Sequence, residues 1–336
     1  MDKCNYPLSI LKDMDYNTDR KEVIDMQISF ILFQKLVHFF IMILLGYVLV
    51  KKHLLKANDS KIISVLVVYL VLPCAIINSF EIEFTNDKLK GLLFAAVLAV
   101  IIHIFLLIFI KIGEKFWHWN AIERATVMYS NSGNMIIPLV SAILGPDYVL
   151  YSSAFMSVQM IFLWTHCSTM IAERPRMEWK KILTNINVLA IIAGLLLFFL
   201  RIRLPGIILT PITDIGNMLA PLSMIVTGML MADAPIKKSL QNKKIYLFSA
   251  IRLVIWPAVL LLLMYASRIY TLIPDGKTLL LIVFLASITP SASTITQMAQ
   301  VFDKDAPYAG ILNVFTTLFC IITMPAAVIL FSFLIH

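Results

Sequence analysis

From about residue 28 to the end of the chain, apolar runs of twenty or more residues alternate with short polar connections. A helix crossing the hydrocarbon core of a bilayer needs about 20 apolar residues. The pattern predicts ten spans, near residues 28–50, 60–80, 89–111, 122–144, 148–172, 182–203, 211–232, 244–267, 278–301 and 307–335. Two runs are broken in the middle, one by Tyr129-Ser130-Asn131-Ser132-Gly133-Asn134-Met135-Ile136-Ile137-Pro138, the other by Ser287-Ile288-Thr289-Pro290-Ser291-Ala292-Ser293-Thr294. Unwound backbone is tolerated at membrane depth only where protein or a water-filled cavity surrounds it. Broken helices in corresponding places of two repeats are the sequence mark of a transporter site.

The ten runs divide into two sets of five around the basic stretch from Arg174 to Lys181. Because five is odd, two such halves run in opposite orientation. The second span of each half holds a proline, Pro73 and Pro221, and the fourth span of each half holds the break. Two matched features in the same order point to an inverted repeat. The chain then reads as a polar N-terminal tail (1–26), a first five-helix repeat (27–172), a basic cytoplasmic linker (173–181) and a second, inverted repeat (182–336). The tail carries six acids against four bases and lacks the basic start of a signal peptide. Met26 as the physiological start and a short acidic external tail are both open readings of it.

Charge sets the orientation. With both termini outside, sixteen Lys and Arg residues fall in inner loops and eleven in outer segments, leaving Arg252 within a span. Loop bases favour the cytoplasmic side, which gives N-out, C-out in the cell membrane. The net charge of +8 therefore reads as topology and not as a nucleic-acid face. With 60% hydrophobic residues, no sizeable soluble domain remains. Cys4, Cys74, Cys167 and Cys320 are scattered without CxxC spacing, so neither a metal centre nor a cofactor is expected. No HExxH, glycine-rich phosphate loop or Gly-x-Gly-Asp suggests an enzyme.

Candidate chemistry concentrates in the breaks. Asn131, Ser132 and Asn134 supply uncharged donors and acceptors, Gly133 permits unusual dihedrals, and Pro138 frees the carbonyl of Asn134. In the second break Pro290 frees the carbonyl of Ala286, while Thr289, Ser291, Ser293 and Thr294 add hydroxyls. Half-helix N-termini suit an anion; exposed carbonyls and C-termini suit Na⁺ or H⁺. No Asp or Glu lies in either break and no fixed counter-charge lies there, which argues against a cation–proton antiporter. His103, with Ser293 and Gln297, is the candidate for ion or proton coupling, although a lone histidine in a span also serves as a neutral packing residue. Arg252, eight or nine residues into its span, is expected to snorkel to the interface. Asn78, Gln159, Asn217 and Asn313 are expected to line the cavity.

Five stretches together resemble a prokaryotic-type member of the auxin efflux carrier family, related in architecture to bile acid/sodium symporters: Leu45-Gly46-Tyr47, Leu72-Pro73, Asn131-Ser132-Gly133-Asn134 with Pro138, Pro221-Leu222-Ser223 with Gly228-Met229, and Pro290-Ser291 with Ala299-Gln300. One proline stands where the family's second break carries a pair. The resemblance implies an all-α membrane protein of ten helices in two inverted five-helix repeats, with the fourth and ninth spans crossing at their breaks. It implies a scaffold of spans 1, 2, 6 and 7, a moving domain of spans 3–5 and 8–10, and elevator-type transport. Its implied cargo is a small organic anion such as malate or malonate, since the long hydrophilic loop of the plant carriers is missing. Sodium-coupled uptake, with Asn134, Thr289, Ser293 and Gln297 as oxygen ligands, and a non-transporting sensor are the alternatives. The lipid bilayer, H⁺ or Na⁺ and a second copy in a homodimer complete the expected partners.

Overall fold

The computed structural model describes residues 18–173, 184–233 and 241–335. Residues 1–17 of the expected tail, most of the expected basic linker, and Lys237 and Lys238 lie outside the described residues. Everything described is helix, turn or loop, and the strand-like pairing among these residues is one isolated antiparallel bridge between Ser130 and Ser291.

Among the described residues twelve helices follow in order: α1 Thr18–Lys51, α2 Ala57–Phe80, α3 Asn86–Trp117, α4 Ala121–Met128, α5 Ser132–Ile143, α6 Val149–Ile171, α7 Ile186–Leu200, α8 Gly206–Asp233, α9 Lys243–Ser267, α10 Gly276–Ile288, α11 Ser293–Val301 and α12 Ala306–Leu334. Among the described residues α2, α3, α6, α8, α9 and α12 are each long and apolar enough to cross a membrane. Shorter apolar stretches are Val37–Lys51 of α1, α7 and α10. The difference from ten expected crossings has a plain cause. Of the other four, the two broken spans divide into halves, α4 with α5 and α10 with α11, α7 at 15 residues rises only about 22 Å, and the fully described apolar part of α1 is confined to Val37–Lys51. The helix expected from residue 28 begins at Thr18, so part of the expected polar tail is helical.

Two packing groups emerge. In the first, α1 lies along α8, and α2 takes α7 and the first part of α8. Glycine makes the α1–α8 contact possible: a Cβ on Gly46 would strike the carbonyl of Ile225, and one on Gly228 the carbonyl of Ile43. Without a hydrophobic force between helices in lipid, such close backbone approach is what holds them. In the second group α3 packs on α6, α10 leans on α3, α6 and α9, and α12 runs beside α9 and α11. The groups meet where α1 and α8 touch α12 and α5.

Three helices widen into a π turn in mid-course, at Val67–Val71 in α2, Leu163–Cys167 in α6 and Ile251–Ile255 in α9. In α2 and α9 the cause is a proline two residues later, Pro73 and Pro257, which withholds an N–H and crowds the preceding turn. The ladder skips to the next partner: Leu72 N–H donates to Val67 and Trp256 N–H to Ile251. Pro221 needs no such adjustment, because α8 is interrupted at Met218 and Pro221 lies in the first turn of the segment beginning at Leu219.

Candidate functional site

The two breaks meet. Helix α4 ends at Met128 and α5 begins at Ser132; α10 ends at Ile288 and α11 begins at Ser293. Between them the extended segments pair antiparallel about Ser130 and Ser291. Asn131 N–H donates to the carbonyl of Pro290 at 2.8 Å, and Ala292 N–H to that of Tyr129 at 3.0 Å. Backbone groups released by both broken helices thus satisfy one another, as they must at membrane depth.

Side chains close the outer edges of this two-residue ribbon. On one side Gln159 of α6 acts as a third strand in miniature: its Nε2 donates to the carbonyl of Ser130 at 2.7 Å, and its Oε1 accepts from the Ser130 amide at 3.3 Å and hydroxyl at 2.5 Å. On the other, Asn313 Nδ2 of α12 donates to the carbonyl of Ser291 at 2.6 Å, and Thr316 Oγ1 accepts from the Ser291 amide at 3.2 Å. Gln159 also borders the small cavity at the crossing, as expected of it, whereas Asn313 is bound to main chain and is not among the residues that border the cavities described below. Each spends its amide on main chain at the crossing.

Arg252 is the larger correction. It does not snorkel; its side chain is fully buried. The guanidinium donates from Nε to the carbonyl of Thr289 at 3.1 Å, from Nη1 to Val127 at 2.9 Å, and from Nη2 to Ser287 at 2.6 Å and Thr289 at 2.8 Å. These are the terminal carbonyls of α4 and α10, the orphan acceptors of both half-helix C-termini. Trp256, one turn on, donates from Nε1 to Ser287 Oγ at 3.0 Å. A sequence reading that sees only distance from the helix end assigns such an arginine to the surface, because the carbonyls that hold it belong to other helices.

The remaining candidates separate into two faces. Thr289 turns toward Arg252, its hydroxyl donating to Ala286 at 3.2 Å, so the carbonyl that Pro290 frees is occupied. On the opposite face Asn131, Gly133, Ser293, Thr294 and Gln297 border a cavity of about 20 Å³, closed by Val67, Val68 and Leu72 of the α2 π turn and by Met160 and Leu163 of α6. Ser132 is buried, and its hydroxyl has no partner among the described residues. Asn134 and Pro138 lie on α5, with side chains outside the described set. His103 stands apart: buried on α3, it puts Nδ1 2.7 Å from the Ala99 carbonyl and stacks on Phe162 at 5.0 Å, with Phe155 beyond.

Two larger cavities flank the small one. The first, of about 560 Å³, is bordered by Asn78 and Glu81 at the end of α2, Ile137 and Ser141 of α5, and Asn217. The second, of about 220 Å³, is bordered by Asn58 at the start of α2, Asp233 at the end of α8, and Thr296 and Gln300 of α11. Asn58 and Asn78 lie at opposite ends of one helix, about 30 Å apart. The cavities therefore open toward opposite faces.

A family model described as Membrane transport protein, that of the auxin efflux carriers, matches residues 31–328. The chain belongs to this family. The carrier is thus a multi-pass membrane transporter, and the resemblance read from its motifs holds over nearly the whole chain. A comparison with curated proteins finds no match.

A carboxylate that the sequence reading passed over completes the picture of this carrier. Glu123, at the start of α4 and buried, accepts from Asn120 N–H at 2.9 Å and Tyr308 hydroxyl at 3.2 Å, and pairs with Lys244 Nζ at 2.8 Å. Asn120 returns the capping bond to Glu123 N–H at 2.8 Å. The Asn-x-x-Glu spacing was the available signal. This acid ties α4 to α9 and α12 at one membrane face and does not border the crossing cavity.

Proposed function

We propose that the protein is a secondary transporter of a small organic anion, a carboxylate such as malate or malonate, with its site at the helix crossing. The observation that carries this reading is the Ser130–Ser291 ribbon, from which α5 and α11 both start. Their first N–H groups have no intrahelical partner, and two helix N-termini beside Asn131, Ser132, Gly133, Asn134 and Ser293 suit a carboxylate. On this reading Thr289, Pro290 and Ser291 shape the crossing from the second repeat, and Gln297 with Ser293 serves either cargo or coupling ion.

Ten spans in two inverted repeats, moving as an elevator, fit the packing. Matching edge contacts from Gln159 and from Asn313 with Thr316 are what inverted halves would produce. These inter-span bonds join members of one group: Thr213 Oγ1 donates to Asn78 Oδ1 at 2.6 Å within α1, α2, α7 and α8, and the crossing bonds with Lys244–Glu123 lie within α3–α6 and α9–α12. The 20 Å³ crossing cavity holds about one water and no dicarboxylate, so loading requires the α2 wall to withdraw toward one of the two flanking cavities.

Sodium at Thr289 is the less favoured arrangement, because Arg252 already occupies its carbonyl and would repel a second cation. The N-out, C-out orientation in the cell membrane rests on loop charge alone. A thermal-shift screen of purified protein tests the reading: malate or malonate at 100 times its Kd should stabilise by about 2.7 kcal/mol, and the Asn131→Ala, Asn134→Ala pair should lose that shift. A shift with sodium but with no carboxylate would replace the anion reading.

A further inference from the structure

Arg252 makes its four hydrogen bonds to main-chain carbonyls, and none of them goes to a carboxylate. A fully buried cation with no acidic partner is costly. It needs compensation from something the fold already holds or from something that binds. Four half-helix ends meet at the crossing. Each C-terminus carries about −0.5 charge and each N-terminus about +0.5, so the four ends nearly cancel and the guanidinium remains as a unit of positive charge. Arg252 lies against the C-termini of α4 and α10; the N-termini of α5 and α11 face the other way, onto the cavity of Asn131 and Gln297.

We propose that Arg252 is the counter-charge of the transported anion and travels with the crossing. It silences the two C-termini, so that the field met at the cavity is that of the two N-termini alone, and it does this without touching the cargo. It is a positioning residue in the same stroke, since one planar fork fixes the end of α4 to the end of α10 through Val127, Ser287 and Thr289. The inference rests on the anion-carrier reading. It adds a prediction about charge: the empty crossing carries +1, and the crossing loaded with a dianion carries −1.

The test is malate flux in proteoliposomes under imposed potentials, with wild-type, Arg252→Lys and Arg252→Met proteins. Homo-exchange reports the loaded step. Arg252→Met should raise the apparent KM at least tenfold and make exchange more steeply dependent on potential, because the loaded form then carries −2. Arg252→Lys should restore the wild-type dependence even if its maximal rate falls with the lost fork. A purely structural arginine predicts equal damage in both variants and an unchanged potential dependence, which would overturn the proposal.

Should the neutral variant fail to fold, wild-type protein alone decides. Net efflux into malate-free buffer requires the empty form to return, and where this return limits, an inside-negative potential should accelerate it. An empty return indifferent to potential would also overturn the proposal. Absence of any carboxylate flux in wild-type protein would remove the anion reading itself, and the counter-charge with it.

Discussion

The amide of Gln159 pairs with both main-chain groups of Ser130, donating to its carbonyl at 2.7 Å and accepting from its N–H at 3.3 Å. One side chain thereby stands in for a missing strand at the place where the chain leaves helical geometry. Replacing Gln159 by Leu keeps the volume and strands two buried backbone groups and a hydroxyl, at about 1–3 kcal/mol for each group left unpaired. Detergent melts should show a large loss of stability for Gln159→Leu and a smaller one for Asn313→Leu, which strands the Ser291 carbonyl alone while Thr316 keeps the amide. Variants that melt like wild type would remove both residues from the crossing.

The glycines separate by environment. A Cβ on Gly228 would strike the Ile43 carbonyl, whereas one on Gly206 meets nothing within 4 Å. Gly228→Ala should force α1 from α8 and sharply reduce folded yield, while Gly206→Ala should stay within about 0.5 kcal/mol of wild type. Size-exclusion profiles and melting curves of the two variants check the contrast.

Glu123 and Lys244 should respond unequally to mutation. The carboxylate side chain is 0% exposed and the lysine 57% exposed, so a lysine that loses its partner returns to water, but an orphaned carboxylate stays buried. Lys244→Ala is therefore expected to destabilise more than Glu123→Gln, which keeps the acceptor for the Asn120 amide. Melting temperatures in the opposite order would show that the pair contributes through the lysine.

His103 is packed between aromatic rings with Nδ1 committed to the Ala99 carbonyl. His103→Phe should preserve that packing and leave transport within about twofold of wild type, since exposed or neutral substitutions without a broken mechanism cost little. Flux reduced a hundredfold in well-folded protein would make His103 a proton relay after all.

What the chain displayed in advance was what depends on local chemistry. Apolar runs long enough for lipid gave the positions of the helices, and a run that changes to Ser-Asn-Ser-Gly-Asn or Thr-Pro-Ser has to unwind whatever surrounds it. The meeting of Ser130 with Ser291 was implied only through resemblance, because pairing across 161 positions leaves no local trace. Arg252 was misplaced for the same reason. Its distance along α9 is visible in sequence, but the neighbours that bury it belong to α4 and α10. Glu123 was overlooked because its partners Lys244 and Tyr308 are far away in sequence, although its capping spacing from Asn120 was visible. The shortness of α7 and the π turn at Leu163–Cys167, which no proline announces, are set by packing.

Uptake of labelled malate and malonate into proteoliposomes, with sodium gradient, proton gradient and membrane potential imposed separately, tests the organic-anion reading most directly. Saturable uptake by wild-type protein, lost in the folded Asn131→Ala, Asn134→Ala pair, is the result expected. Uptake that survives in the pair would contradict a site at the helix crossing, and folded wild-type protein that moves neither acid under any gradient would contradict the cargo.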